Sequence, residues 1–124
     1  MIAVRPIAAS ALCAALAAPL AAQPAAQTVD VMSFSYQPRP IHLRAGRPVT
    51  LTFVNRSGSG HDFTAPAFFA AARIVAGAAP SGEIDLRGGE AKRITLVPRA
   101  GTYQAHCSHF MHTQLGMRNT IVVD

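Results

Sequence analysis

The chain has 124 residues, of which half are hydrophobic and 14% are charged, and its formal net charge is +5. This length allows one domain, and the apolar fraction argues against a disordered chain. Nine glycines and nine prolines without sustained heptads argue against a coiled coil or a helical bundle, and the sequence holds no GxxxxGK loop for nucleotide hydrolysis.

The first 22 residues differ in composition from the rest of the chain. A basic start at Arg5 is followed by an apolar run from Ile7 to Leu20 and then by small residues, which is the pattern of a secretory signal peptide. The run is short for a membrane span. We therefore expect a signal peptide at 1–22, cleaved before Gln23 or a few residues later; a retained N-terminal anchor is the alternative.

Removal of that segment leaves 102 residues, with a net charge of +4 because only Arg5 is lost from the charged residues. We expect a flexible leader at 23–27 and a single domain at 28–124, located in the periplasm as a monomer without a membrane span. The mature chain keeps one cysteine, Cys107, so an internal disulfide cannot form. Small secreted domains often depend on a disulfide or a metal, so this cysteine needs a role.

Most of the mature chain consists of short segments in which apolar and polar residues alternate, which predicts strands. They run from Thr28 to Tyr36, Ile41 to Leu43, Val49 to Val54, Ile84 to Leu86, Lys92 to Leu96, Thr102 to His106 and Asn119 to Val123. Between the third and fourth segments, the stretch from Thr64 to Gly77 has proline near its start and glycine at its end, which predicts one short helix. Six or seven short strands at this spacing favour an all-β Greek-key sandwich or barrel.

Soft metal donors are concentrated between the last two predicted strands. Cys107, His112 and Met117 are each separated by four residues, so a thiol, an imidazole and a thioether share one loop. These donors suit copper better than calcium or magnesium, which prefer oxygen. A second imidazole must come from elsewhere, and His61 is the obvious donor because it follows a Gly/Ser loop after the strand Val49 to Val54.

These motifs resemble those of the cupredoxins, the small blue-copper proteins. The resemblance rests on Phe34-x-Tyr36-x-Pro38, Gly60-His61-Asp62-Phe63 and the Cys-x4-His-x4-Met segment that follows Tyr103-x-x-His106, and it covers nearly all of 28–124. It implies one copper ion per chain, held by His61, Cys107 and His112 as trigonal ligands and by Met117 as a weak axial ligand. It also implies one-electron transfer to a redox protein partner, with no enzymatic activity.

The sequence departs from the usual family pattern at two places. Many cupredoxins have asparagine directly after the first histidine ligand, whereas this chain has Asp62. The ligand loop also holds an additional imidazole at His109 and an additional thioether at Met111. His106 precedes Cys107 on a strand, so its side chain should face away from a metal bound by that cysteine.

Other readings of the same residues stay open. The surplus donors motivate one alternative to an electron carrier, namely a copper carrier or resistance protein that delivers copper to an acceptor protein. A structural zinc site with Cys107 and three histidines, and a copper site that reduces a small molecule, are further alternatives. The scattered arginines form no run interleaved with aromatic residues, so a nucleic-acid partner is not expected.

Overall fold

The computed structural model describes residues 1–4, 6, 8–17, 23–109 and 111–124. The described residues before 18 form neither helix nor strand. No helix among the described residues is both long and apolar enough to cross a membrane. The residues just before the predicted cleavage site at Gln23, Leu20-Ala21-Ala22, lie outside the described residues.

The remainder forms two five-stranded sheets and one short helix, which confirms the prediction of an all-β fold. The elements are β1 Ala25–Met32, β2 Ser35–Gln37, β3 Ile41–Leu43, β4 Val49–Asn55, β5 His61–Thr64, α1 Pro66–Ala71, β6 Arg73–Ala76, β7 Glu83–Leu86, β8 Ala91–Val97, β9 Gly101–His106 and β10 Arg118–Val123. The sheets have the strand orders β2-β1-β4-β8-β6 and β3-β10-β9-β5-β7. β1 pairs parallel with β4 and β10 pairs parallel with β3, whereas the other pairs are antiparallel.

The core lies between the two sheets and follows from the alternation of the strands. In β4, Val49, Leu51 and Phe53 are buried while the intervening residues are partly exposed. Ile121 and Val123 of β10 are buried in the same way on the opposite sheet. Each such side chain contributes about 1.5–3 kcal/mol when it is fully buried, so the paired inner faces supply most of the stabilising free energy.

The helix is shorter than the sequence predicts. It covers Pro66–Ala71 only, and the residues expected to continue it, Arg73–Ala76, form β6 on the edge of a sheet. Ala72 already has an extended backbone, and the β-branched Ile74 pairs with Leu96 of β8. The alanine-rich run favours a helix locally. The β-branched Ile74 and Val75 that follow favour an extended backbone, which pairs with β8.

The first strand begins earlier than predicted. Ala25–Gln27, which we expected to belong to a flexible leader at 23–27, pair in parallel with Val49–Leu51. The N–H of Ala25 also donates to the carbonyl of Pro48 at 3.0 Å. The ordered domain therefore begins at Ala25 and not at Thr28, because the edge of β4 offers partners to these backbone groups.

Candidate metal centre

His61 begins β5, and the loop before it is held in place by the buried side chain of Asn55. The amide nitrogen of Asn55 donates to the carbonyls of Ser59 at 2.8 Å and Arg87 at 2.9 Å. Its carbonyl oxygen accepts a hydrogen bond from the backbone N–H of Ser57 at 3.0 Å. These bonds fix the loop to the β7–β8 connection, so His61 emerges at a defined position.

The loop from Cys107 to Met117 is closed on itself by backbone hydrogen bonds. The N–H of Cys107 donates to the carbonyl of Met117 at 3.0 Å, and the N–H of Met117 donates to the carbonyl of His112 at 2.9 Å. The hydroxyl of Thr113 donates to the carbonyl of Cys107 at 2.9 Å. Gly116 has a φ of 100°, which glycine adopts without steric cost and which allows the tight return to β10.

The structure brings three of the predicted ligands together at one end of the sandwich. The Nδ1 atoms of His61 and His112 are 3.2 Å apart, and Nδ1 of His112 is 3.3 Å from Sγ of Cys107. One donor atom from each of the three residues lies within 4.8 Å of the other two. Residues separated by up to 51 positions along the chain thus direct their donor atoms to one point.

The donor set fits a soft or borderline cation. Two imidazole nitrogens and a thiol sulfur converge where a metal ion could accept all three lone pairs, and copper favours such donors. His61 and Cys107 are each 1% exposed. The side chain of Met117 is buried in the core, and its backbone is bonded to both Cys107 and His112. Its ligation of the metal stays a prediction.

The pKa shifts of the two buried donors, His61 and Cys107, both favour the uncharged form of the side chain. Burial lowers the pKa of His61, and the neighbouring His112 and His109 lower it further, while Asp62 acts in the opposite direction. Burial raises the pKa of the Cys107 thiol, although hydrogen bonds from the backbone of Asp62 and His109 oppose this shift. Without a metal the thiol keeps its proton, so metal binding must release that proton.

Asp62 connects the two ligand-bearing segments, although the sequence left its role open. Its Oδ1 accepts hydrogen bonds from the backbone N–H of Ser108 at 2.9 Å and from the hydroxyl of Thr64 at 2.7 Å. Its Oδ2 accepts a hydrogen bond from the hydroxyl of Ser108 at 2.5 Å, and its backbone carbonyl accepts one from the hydroxyl of buried Tyr36. Because Ser108 follows Cys107 directly, this carboxylate ties the strand of His61 to the loop of the cysteine.

Two residues near the site were not assigned a role from the sequence. The ring of Phe34, in the turn between β1 and β2, lies edge-on to the ring of His112, with centroids 5.1 Å apart. The hydroxyl oxygen of Ser59 lies 3.4 Å from Nε2 of His61, so it can orient the ring through the nitrogen that faces away from the cluster. Phe34 belongs to the Phe34-x-Tyr36-x-Pro38 motif, but nothing along the chain places it against His112.

The surplus donors occupy different positions. Nε2 of His109 lies 3.6 Å from Oδ2 of Asp62, and its ring stacks on that of His112 with centroids 5.2 Å apart. Met111 and Leu115 of the same loop are exposed. Phe110 lies outside the described residues. His106 is partly exposed between buried Ala105 and Cys107, as the strand alternation predicts.

Comparison with known proteins agrees with this architecture. The family model for a cupredoxin-like domain matches residues 5–123. A search of curated proteins finds no relative that matches the sequence.

Several solved structures share the fold at low sequence identity. An auracyanin from the photosynthetic bacterium Roseiflexus castenholzii is 19% identical, with a TM-score of 0.60 over 84% of this chain and 99% of that one. Auracyanin A, a "blue" copper protein from Chloroflexus aurantiacus, is 21% identical, with a TM-score of 0.55 over 80% of this chain and 99% of that one. A multicopper oxidase from Campylobacter jejuni is 12% identical, with a TM-score of 0.62 over 88% of this chain but only 32% of the oxidase.

Proposed function

Because the chain belongs to the cupredoxin family, we propose that it binds one copper ion and carries single electrons between redox proteins. The observation that carries this proposal is the convergence of His61, Cys107 and His112 within 4.8 Å. Two imidazoles and a thiolate supply the trigonal set of a blue-copper site, in which a weak axial ligand and the surroundings of the sulfur tune the reduction potential. Met117 is the proposed axial ligand, since its backbone is bonded to the other two residues of its loop.

The protein contributes a rigid frame for electron transfer. Bound copper supplies the one-electron couple. His61 is fixed by the loop that Asn55 organises, and Cys107 is fixed by Asp62 and by the backbone of Met117. A ligand set held in this way keeps nearly the same geometry in both oxidation states, so little reorganisation accompanies the transfer.

The exposed side of the site supplies a docking surface for the partner. His112 is only partly buried, and Phe34 and Leu115 nearby are 40% and 57% exposed. Together with Met111 they form an apolar rim beside the ligand that is nearest to solvent. We assign this rim to contact with a redox protein, because an apolar surface allows a short-lived approach to the histidine without strong binding.

The location and processing of the chain belong to the same proposal. The basic, apolar and small-residue order of 1–22 supports a cleaved signal peptide and a periplasmic domain that acts as a monomer. Cleavage before Gln23 would leave all of β1 in place, whereas cleavage after Ala26 would remove backbone that pairs with β4. The first site is therefore the more favourable one for the fold.

A copper carrier that delivers its ion to an acceptor protein is the second candidate function. The observation that favours it is His109, whose side chain is 39% exposed beside the buried donors. An additional imidazole at the surface can assist the exchange of ligands. An oxidase function is less well supported, because the matching oxidase is about three times as long as the aligned region.

Two measurements distinguish the candidates. The copper-loaded protein is mixed with a c-type cytochrome in a stopped-flow instrument, and separately with a chelating apo-acceptor for Cu(I). Fast, reversible exchange of one electron per copper with slow loss of metal supports the electron carrier. Rapid loss of copper to the acceptor, with slow electron exchange, would overturn the electron-carrier proposal and support the copper carrier.

A further inference from the structure

Two groups of potential ligands overlap at the metal centre. Besides His61, Cys107 and His112, donor atoms of Asp62, Cys107 and His109 also lie within 4.8 Å of one another. Cys107 is common to both groups. The thiol therefore belongs both to the buried set, in which His61 and Cys107 are 1% exposed and His112 is partly buried, and to a set that includes the exposed imidazole of His109.

His109 is the member of the second group that solvent can reach. Its side chain is 39% exposed, whereas that of Asp62 is 1% exposed. Its ring stacks on His112 and lies 6.3 Å, between centroids, from the ring of His61. An ion held by this residue would thus already be next to both imidazoles of the buried set.

The chemistry of the second group differs from that of the first. It has one imidazole and a carboxylate where the buried set has two imidazoles, so it is the harder of the two sets. Such a set favours divalent ions over Cu(I). The carboxylate of Asp62 is oriented by Ser108 and Thr64, as ligating carboxylates in proteins commonly are.

We propose that Asp62, Cys107 and His109 form an uptake site for Cu(II), from which the ion passes to His61 and His112 while Cys107 stays bound. This proposal rests on the proposed copper function and adds a route to it. When the ion binds, the S–H bond of Cys107 breaks, a sulfur–copper bond forms, and the proton leaves to solvent. His61 and His112 then replace Asp62 and His109 one at a time, with no change in oxidation state.

The test is a stopped-flow measurement of Cu²⁺ uptake by the metal-free protein, followed through the visible absorption of the thiolate–copper bond. The wild type should show an early absorbing species that converts into the final spectrum. H109Q should lose the early species and reach the same final spectrum at least about tenfold more slowly, because it removes a ligand of the uptake site and even the loss of an outer partner of a ligand typically costs about 10–100-fold. H42Q is the matched control, because His42 is exposed on β3 and lies outside the metal centre.

The outcomes separate this inference from the proposed function. Uptake by H109Q at the wild-type rate, or faster, with the early species intact would overturn the uptake site while leaving the copper function in place. A wild type that forms no thiolate–copper absorption at all would overturn the proposed function itself. An exposed loop residue such as His109 can be replaced without loss of folding, and circular dichroism of H109Q verifies this.

Discussion

Replacing Asp62 by alanine should destabilise the metal-free protein much more than replacing it by asparagine. The carboxylate accepts three hydrogen bonds, from the N–H of Ser108 at 2.9 Å and from the hydroxyls of Ser108 and Thr64 at 2.5 and 2.7 Å. Alanine removes both acceptor oxygens, and with them all three hydrogen bonds, and leaves the backbone N–H of Ser108 without its partner. A hydrogen bond to a charged group contributes about 1.5–3 kcal/mol.

The two variants therefore differ in expected magnitude. The hydroxyls can turn toward other acceptors, so we expect D62A to lose about 3–5 kcal/mol of unfolding free energy. D62N keeps one oxygen that can accept the N–H of Ser108, and we expect it to lose about 1–2 kcal/mol. Against a total of about 5–15 kcal/mol for a small domain, the alanine variant should lose a large fraction of its stability.

Urea denaturation of the metal-free proteins, followed by circular dichroism at constant pH, measures both losses. The slope against urea should be equal in all three proteins, so that the midpoints report stability alone. If D62A were within about 0.5 kcal/mol of the wild type, the size of an ordinary surface substitution, Asp62 could not be the tie between the two ligand segments. Equal losses in D62A and D62N would also contradict the account, because they would show that the acceptor oxygen is irrelevant.

Three further predictions follow from single contacts. Since burial lowers the pKa of His61, the metal-free protein should lose unfolding free energy as pH falls below about 6.5. Urea titrations between pH 7.5 and 5 should show a weaker pH dependence for H61Q, and an equal dependence of unfolding free energy on pH in both proteins would contradict this. A Cβ on Gly88 would lie 2.6 Å from the carbonyl oxygen of Gly58, so G88A should lose about 1–3 kcal/mol of unfolding free energy in thermal or urea unfolding. The Cβ of G58A meets nothing within 4 Å, so that variant should stay within about 0.5 kcal/mol of the wild type, and similar losses in the two variants would refute this. M117L should keep the visible absorption and raise the reduction potential in a redox titration, because Cu(II) loses a donor; an unchanged potential would remove Met117 from the ligand set.

The ligand loop could be predicted from the sequence because its chemistry is local. Cys107, His112 and Met117 lie on one connection between two strands, so their spacing alone brings them near each other. His61 required an assumption about topology, namely that the loop after the strand Val49 to Val54 meets the Cys107 loop at one end of the sandwich. The two loops do meet, but β4 and β9 lie in different sheets, and His61 is placed by β5, which the sequence did not predict and which pairs with β9 through Thr64 and His106.

The contacts that support the ligands could not be predicted in the same way. Phe34 reaches His112 only because the turn after β1 folds over the end of the sandwich, with Phe34 itself at a φ of 62°. The bonds of Asp62 to Ser108 depend on the register between separate strands. Such contacts are fixed by tertiary packing, which leaves no periodic signal in the chain.

The errors in the predicted elements have a common physical origin. The alanine-rich run after Pro66 favours a helix in isolation, yet Arg73–Ala76 gain more by pairing with β8. The Pro/Ala leader has little strand propensity, yet Ala25–Gln27 pair with an open edge of β4. In both places long-range backbone hydrogen bonding decided the structure against local preference.

The most direct test of the central claim is a titration of the metal-free protein with Cu²⁺, recorded in the visible range for the wild type and C107S. Convergence of His61, Cys107 and His112 on one ion predicts an intense thiolate-to-copper band that saturates at one equivalent in the wild type and is absent in C107S. A wild type that binds copper and stays colourless, or a C107S variant with the same band, would contradict the claim.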